Sequence, residues 1–154
     1  MKVRIKKLNP DAVIPSYSRE GDAGMDLTAV RMEFDNHGNI VYGTGLAFEI
    51  PRGYVGLLFP RSSNFKKDLI LSNSVGVLDS GYRGEVMFKF KMNTVETWRE
   101  GLQLCSQYIE RGCYEVGDRI GQIIIIPYPE IEFEEAQELS ESERGAGGYG
   151  STGK

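Results

Sequence analysis

One tight turn carries three side chains of the kinds used in catalysis. Asp79, Tyr82 and Arg83 lie together in "GVLDSGYRGEV", and Gly81 and Gly84 flank the tyrosine and the arginine. Apolar runs lie on both sides, so the pattern predicts a turn between two strands. An acid, an aromatic ring and a cation concentrated on such a turn point to a functional site.

The chain contains one histidine, His37. It lies in "FDNHGNI", where the Asp, Asn and Gly residues predict a solvent-exposed hairpin turn. On this interpretation, histidine-based catalytic triads and the usual zinc sites are excluded. A general base would then be a carboxylate, a lysine or a tyrosine.

Other polar segments follow or precede apolar runs. "PRSS" puts Arg61, Ser62 and Ser63 after "YVGLLF", and an arginine with two hydroxyl groups suits an anion. "GDRIGQ" offers Arg119, which could pair with an acid, and Gln122, which could face a ligand. "GDAGMD" carries Asp22 and Asp26. Taken singly, each segment is better interpreted as a polar turn, with Asp26 hydrogen-bonded and buried.

The composition limits the function classes. The 154 residues are 40% hydrophobic and 26% charged, with a formal net charge of −4, which fits one globular domain and argues against a general nucleic-acid binder. No apolar run has the length of a signal peptide or a membrane span. Cys105 and Cys113 form neither a disulfide framework nor a redox pair, so we expect a cytoplasmic protein, in a host cell's cytoplasm if it is viral.

Short apolar or alternating runs separated by Gly, Pro, Asn or Asp predict an all-β sandwich or barrel. The predicted strands are "VRIKKL", "NIVYGTGLAFEI", "YVGLLF", "LILSNSVGVL", "EVMFKFKM", "QIIIIPY" and "EIEFEEA", and 86–91 and 122–126 are expected to be the most buried. In 93–115, helical spacing predicts a short amphipathic helix over 98–110 that ends at Gly112, with a long hairpin loop as the alternative. We therefore predict a β domain over 1–143, with an insertion at about 93–115 and a flexible glycine-rich tail over 144–154.

Five segments occur in an order that closely resembles the motifs of the trimeric dUTPases. They are "AGMDLTA", "PRSS", "NSVGVLDSGYRGEV", "GDRIGQ" and "RGAGGYGSTG". The resemblance spans residue 23 to nearly the end of the chain. It implies a β jelly roll, Mg²⁺-dependent hydrolysis of dUTP to dUMP and pyrophosphate, and a homotrimer whose active sites lie between subunits.

The resemblance also implies how the base and the sugar are recognised. The 76–86 segment would be a β-hairpin whose backbone reads the edge of uracil, within a pocket too narrow for the methyl group of thymine. Tyr82 would lie under the deoxyribose and reject a 2′-hydroxyl, and Asp79 would be the general base that deprotonates the attacking water. The residues that line this pocket would be Asn73, Gly76, Val77, Leu78 and Met87.

Phosphate and metal contacts follow from the same resemblance. Arg61, Ser62, Ser63 and Gln122 would contact phosphates, and Asp26 would act on Mg²⁺ through water while the substrate phosphates hold the ion. The tail would close as a lid, in which Arg144 grips the γ-phosphate and Tyr149 stacks on uracil. The further tail contacts would come from Gly150, Ser151 and Thr152.

Three positions depart from the family pattern. Tyr149 replaces a commoner phenylalanine, Ser63 a glycine and Gly121 an alanine, and we expect only a small effect from the last. Two alternatives remain open. One is a nucleotide-gated module that binds a protein partner through 93–115. The other is dCTP deamination, which would need an additional acid that the sequence does not locate.

Overall fold

The computed structural model describes residues 1–67, 69–92 and 112–148. Within these residues the regular structure consists of ten strands and one 3₁₀ helix, Ser62–Lys66. The strands are β1 (Arg4–Lys7), β2 (Met25–Thr28), β3 (Arg31–Phe34), β4 (Ile40–Gly43), β5 (Leu46–Glu49), β6 (Tyr54–Phe59), β7 (Leu69–Leu71), β8 (Gly76–Leu78), β9 (Met87–Met92) and β10 (Arg119–Pro127). The predicted all-β class is confirmed.

The strands form three antiparallel sheets. Two are four-stranded, with the orders β2-β10-β6-β8 and β3-β4-β9-β7, and β1 pairs with β5 in a third. Side chains from both four-stranded sheets enter one core, including Leu27 and Ile123 from the first and Tyr42 and Phe90 from the second. Two sheets that share one apolar core make a sandwich, and the arrangement is of the jelly-roll type.

Strand β9 shows how the sequence selects its core face. Phe88 and Phe90 are buried, whereas Met87, Lys89 and Lys91 are exposed, as the two-residue period of a strand requires. The two phenylalanine rings stack with their centroids 6.2 Å apart, and Tyr42 meets Phe90 edge-on. The outward face of β9 is thereby free to border a cavity.

The expectation that 86–91 and 122–126 are the most buried strands is wrong. All four residues of β4 are buried, while β9 alternates and β10 becomes exposed towards Pro127. The outward side of β4 is covered at Gly43, where an added Cβ would lie 2.8 Å from Arg31 Cγ and would meet Glu85. Polar side chains from neighbouring segments thus complete the burial of β4.

Two further local predictions are wrong. Residues 130–136 form no strand, and Phe133 is 93% exposed, because an alternating pattern makes a strand only where a neighbouring strand offers hydrogen bonds. Residues 76–86 do not form a hairpin. β8 pairs with β6, and β9 pairs with β4 and β7, so the segment between them crosses from one sheet to the other.

Other predictions have mixed outcomes. His37 lies exposed in the turn between β3 and β4, as predicted. The predicted helix over 98–110 lies outside the described residues. Gly112 has the left-handed φ of 86° suited to a helix stop. Cys113 and Tyr114, 6% and 3% exposed, belong to the core, and the insertion at about 93–115 stays a prediction. In the part of the chain that the structure describes, no helix has the length and apolarity of a membrane span.

Candidate active site

A cavity of about 380 Å³ lies where β8 and β9 diverge into their separate sheets; we call it the base cavity. Leu58 and Val86, 7% and 2% exposed, contribute its apolar part. Ser72, Glu85 and Lys89 add polar groups that the sequence did not indicate. The structure brings together here all the residues predicted for the pocket and its turn: Asn73, Gly76, Val77, Leu78, Asp79, Tyr82 and Met87.

One wall of the base cavity is an edge strand. Among the described residues β8 pairs only with β6, in the register Leu57 with Val77, so one side of its backbone carries unpaired donors and acceptors. Gly76 allows β8 to lie close to β6, because an added Cβ at this position would lie 3.0 Å from Leu58 Cβ. A flat heterocycle with its own donors and acceptors could pair with this edge as a further strand does.

Asp79 follows β8 directly and is exposed. Its backbone carbonyl accepts the Tyr82 N–H at 3.1 Å, which closes the turn. Arg83 Nη1 donates to the carbonyl oxygens of Ser80 at 2.7 Å and Tyr82 at 2.8 Å. Within the described ranges the Asp79 carboxylate makes no hydrogen bond or ion pair, so it is available to a water molecule in the cavity.

Glu85 fixes the far end of this turn. Its Oε1 accepts the Gly45 N–H at 2.8 Å, and its Oε2 accepts Arg31 Nη2 at 2.7 Å. The hydrogen bond to Glu85 also raises the pKa of Arg31 above its ordinary value. Arg31 Nη2 lies 3.2 Å from Met87 Sδ, so the same contacts position a cavity residue. Sequence reasoning missed Glu85; its only signal was an acid standing directly before an apolar strand.

Polar residues support the outer rim of the base cavity. Asp35 accepts Lys89 Nζ at 3.1 Å and the Asn39 N–H at 2.9 Å, and Ser72 Oγ donates to Asn39 Oδ1 at 2.8 Å. The hydrogen bond from the Asn39 backbone is the main cause that lowers the pKa of Asp35 well below its usual range. The β3–β4 turn thereby holds both Lys89 and Ser72.

A second group of polar residues lies where β2, β10 and the 3₁₀ helix meet. Asp26 Oδ1 accepts Arg61 Nε at 2.9 Å, and its Oδ2 accepts Arg119 Nη1 at 3.1 Å. We call this group the arginine cluster, and it consists of Asp26, Arg61, Ser63, Arg119 and Gln122. Asp26 lies on strand β2 and is 23% exposed on its side chain. The expectation of a buried aspartate in a turn is therefore wrong, and the pairing with an acid that the sequence left open for Arg119 is found with Asp26.

Backbone pairing explains how the arginine cluster forms. Gln122 stands opposite Asp26 on one side and Phe59 on the other, and its Nε2 donates to the Pro60 carbonyl at 3.2 Å. Arg61 directly precedes the 3₁₀ helix, with its Nη1 3.4 Å from Ser63 Oγ. Ser62 is exposed. None of the cluster residues, nor Ser62, lines the base cavity.

The tail enters the described structure only in part. Arg144 is exposed, and its Nε donates to the Gly147 carbonyl at 2.8 Å within its own turn. It lines none of the cavity described above. The predicted site residues Tyr149, Gly150, Ser151 and Thr152 lie outside the described residues.

Comparison with known proteins identifies the family. A family model described as dUTPase matches residues 11–99 and 104–153. The chain belongs to the dUTPase family. It is 40% identical over 156 residues to the deoxyuridine 5'-triphosphate nucleotidohydrolase of Nautilia profundicola, with 100% of both chains covered. It is 37% identical over 163 residues to the protein of that name from Acinetobacter baumannii, with 100% of this chain and 99% of the relative covered.

Solved structures agree with this assignment to the dUTPase family. The Staphylococcus bacteriophage 80alpha dUTPase with dUPNHPP superposes with a TM-score of 0.79 at 28% identity, over 99% of each chain. A second structure of the phage 80alpha dUTPase gives 0.71 at 26% identity, over 91% of this chain and 99% of that one. The jelly-roll assignment thus extends to proteins of known structure.

One departure from the dUTPase family pattern has a physical cause in this chain. An added Cβ at Gly121 would lie 2.9 Å from Phe88 Cδ1 and would overlap other atoms of that ring. Phe88 is 1% exposed and has little room to move. The Phe88 ring thus occupies the space that the methyl group of an alanine would need, and the small effect expected of glycine at this position stays a prediction.

The carboxylates of the described residues decide how Mg²⁺ could bind. No group of three or more His, Cys, Asp or Glu residues that could hold a metal ion occurs in the described ranges. Both oxygens of Asp26 face arginines. Mg²⁺ retains its waters readily and commonly binds through one or two carboxylates together with substrate phosphates. The residues present therefore fit an ion that arrives with a triphosphate rather than one held in a protein cage.

Proposed function

We propose that this chain is a dUTP diphosphatase that hydrolyses dUTP to dUMP and pyrophosphate in the presence of Mg²⁺. The observation that carries the proposal is the unpaired carboxylate of Asp79, placed at the end of an open strand edge that borders the base cavity. Such an activity would limit the incorporation of uracil into DNA and supply dUMP for thymidylate synthesis. We place it in the cytoplasm, in keeping with the free, buried Cys113.

The proposed chemistry is an in-line displacement at the α-phosphorus. Asp79 accepts a proton from water while the water oxygen forms a bond to the α-phosphorus. The bond from that phosphorus to the bridging oxygen breaks, and pyrophosphate leaves with the electron pair. A positioned base of this kind contributes about 10²–10⁴-fold to a rate. Bound Mg²⁺ would add neutralisation of the triphosphate charge.

The base cavity accounts for substrate choice in this proposal. The backbone of Gly76, Val77 and Leu78 would read the uracil edge, with Asn73 and Met87 beside it. Tyr82 would lie under the deoxyribose. Phosphate contacts would come from Arg61, Ser62, Ser63 and Gln122, and Asp26 would act on Mg²⁺ through water.

Separation of the two groups within one chain supports a shared site. The arginine cluster does not line the base cavity, and Lys89, the one cation among the described residues that line it, is already paired with Asp35. Phosphates that extend from a bound base would therefore need further cations from elsewhere. A homotrimer in which one subunit supplies the base cavity and another the arginine cluster would meet this need. The trimer is part of the proposal, as is the β domain over 1–143 that forms it.

The tail would act as a lid. In this proposal Arg144 leaves its turn to grip the γ-phosphate, and Tyr149 stacks on the base with Gly150, Ser151 and Thr152 beside it. Truncation after Glu143 is expected to cripple hydrolysis without dissociating the oligomer, as measured by turnover and by sedimentation. Unchanged kinetics after truncation would exclude a lid.

Substrate screening tests the function directly. The protein is incubated with Mg²⁺ and, separately, dUTP, dTTP, dCTP and UTP, and monophosphate, pyrophosphate and ammonia are quantified. We expect dUMP and pyrophosphate from dUTP alone. Ammonia from dCTP would instead support deamination. The acid that deamination needs has one candidate in the cavity besides Asp79, but both oxygens of Glu85 are already bonded to Gly45 and Arg31.

A second candidate function is nucleotide-gated protein binding. Structures of the phage 80alpha dUTPase are described in terms of control of virulence-gene transfer by a G protein-like mechanism. In this chain a partner would dock on the insertion at about 93–115. A pulldown with and without the insertion separates the two functions. If deletion of the insertion loses a partner and leaves turnover intact, a protein-binding role is favoured. If the deletion changes neither the captured proteins nor turnover, binding through the insertion is excluded.

A further inference from the structure

We propose that Gly84 determines sugar specificity by fixing the position of the Tyr82 ring. The proposal rests on the function above, in which Tyr82 lies under the deoxyribose. Its structural basis is a close fit between the ring and the backbone of Gly84. An added Cβ at Gly84 would lie 2.6 Å from Tyr82 Cζ and 3.0 Å from Cε2, and would also overlap the hydroxyl oxygen.

The glycine at position 84 is required by this ring and not by the backbone. Its φ lies outside the left-handed region that favours glycine, whereas Gly45, for example, has a φ of 64°. A side chain at 84 is therefore allowed by the main chain and excluded by Tyr82. Gly81, in the same turn, also lies outside the left-handed region, yet an added Cβ there meets nothing within 4 Å.

Contacts at both ends hold Tyr82 against Gly84. The Tyr82 hydroxyl donates to the Glu85 carbonyl at 3.1 Å, and the Tyr82 backbone N–H donates to the Asp79 backbone carbonyl at 3.1 Å. The residue is 43% exposed and lines the base cavity. One part of the ring therefore rests on Gly84 while another faces the space that the sugar would occupy.

A methyl group at position 84 would displace the ring end that carries the hydroxyl. The hydrogen bond to Glu85 would be lost, because the hydroxyl oxygen lies where the methyl group must go. A ring without this anchor no longer has one fixed height beneath the sugar. The space denied to a 2′-hydroxyl would then open, and discrimination between dUTP and UTP would fall.

The test measures the ratio of kcat/KM for dUTP to that for UTP in wild type, Gly84→Ala and the control Gly81→Ala. We expect Gly84→Ala to lower this ratio roughly tenfold or more, since rejection of an added hydroxyl by shape alone is worth on the order of 10²-fold. Gly81→Ala should retain the wild-type ratio. Thermal unfolding checks that all three proteins are folded.

Action through Tyr82 is tested by repeating the substitution in a Tyr82→Ala background, where Gly84→Ala should not change the ratio further. The proposal is overturned if Gly84→Ala alone keeps the wild-type ratio, or if it lowers the ratio equally without the tyrosine. The ratio of the dissociation constants of UMP and dUMP measures the same sugar discrimination without turnover. If the wild-type protein does not hydrolyse dUTP, the proposed function is wrong. If the wild type is active and Gly84→Ala keeps the wild-type ratio, only the role of Gly84 is wrong.

Discussion

The base cavity contains a catalytic-type carboxylate and a backbone edge without partners among the described residues, whereas the charged side chains of the arginine cluster are bonded to one another. Within the described ranges the Asp79 carboxylate has no partner, and β8 pairs on one side of its backbone only. In the arginine cluster, by contrast, Asp26 engages both Arg61 and Arg119. In the proposed function, a ligand could bind the cavity without breaking an existing contact. Arg61 of the cluster would have to release Asp26 before it could bind a phosphate.

This difference reflects where each region comes from in the chain. The base cavity and its turn are built largely from one continuous segment, 72–89, so its parts keep their geometry in a single subunit. The arginine cluster joins β2, β10 and the start of the 3₁₀ helix through sheet pairing. In the proposed trimer, Arg61 would exchange its ion pair with Asp26 for contacts with a triphosphate bound at the base cavity of an adjacent subunit.

The largest expected effect is at the open carboxylate. Asp79→Asn removes the base and should lower kcat for dUTP by about 10²–10⁴-fold, while binding of a non-hydrolysable analogue, measured by calorimetry, is retained. Asp11→Asn, at an exposed acid outside both regions, is the control and should leave kcat unchanged. Normal turnover by Asp79→Asn would remove Asp79 from the mechanism.

Mixed oligomers test the division between the two regions. Asp79→Asn and Arg61→Gln chains, each inactive alone, should regain roughly a quarter of wild-type activity after random mixing if one subunit supplies each region. Asp79→Asn mixed with Asp79→Ala should regain none, since neither chain supplies an intact cavity. Absence of recovery in the first mixture would place both regions of each site in one subunit.

The two regions meet through the core at Gly121 and Phe88. Gly121 precedes Gln122 on β10, and Phe88 follows Met87 on β9, so Gly121→Ala should overpack the contact between them. We expect a loss of about 1–3 kcal/mol in the free energy of unfolding, measured by denaturant titration. Gly121→Ala with Phe88→Leu should recover part of that loss. Additive effects of the two substitutions would contradict the direct contact.

The smallest effect is expected at the rim of the base cavity. Because the pKa of Asp35 is lowered in the folded protein, its stabilisation is fully present above the ordinary carboxyl pKa of about 3.9. It is lost as the pH falls through that value towards the lower folded pKa. Asp35→Asn should therefore lower the unfolding midpoint at neutral pH, and the difference from wild type should shrink in acid.

An acid outside both regions provides the control for this titration. Glu132 is exposed, so Glu132→Gln should leave the unfolding midpoint unchanged at both pH values. If Asp35→Asn lowers the unfolding midpoint by the same amount in acid as at neutral pH, hydrogen bonding to the ionised carboxylate is not the cause of the lower midpoint.

The sequence could predict the base cavity because its residues are neighbours in the chain. Asn73, Val77, Asp79 and Met87 come together through local geometry once a strand and a turn form. Glu85 could not be assigned in this way, since its partners Gly45 and Arg31 are distant in the chain. The sequence could not explain glycine at position 121 either, because the explanation depends on the packing of Phe88 across the core.

Strand pairing was the other limit. Residues 76–86 have the pattern of a hairpin, yet their two ends belong to different sheets, which local sequence does not encode. Residues 130–136 alternate like a strand without acquiring a partner. The class of the fold follows from periodicity, and the neighbour of each strand follows from the whole chain.

The open edge of β8 has a consequence for the empty protein. A strand edge that can pair with a base can equally pair with a strand of another molecule, which is a common route to aggregation. Val77, 65% exposed on this strand, adds an apolar surface to the same edge. A bound nucleotide would occupy that edge, so ligand should protect the protein against precipitation on heating as well as against unfolding.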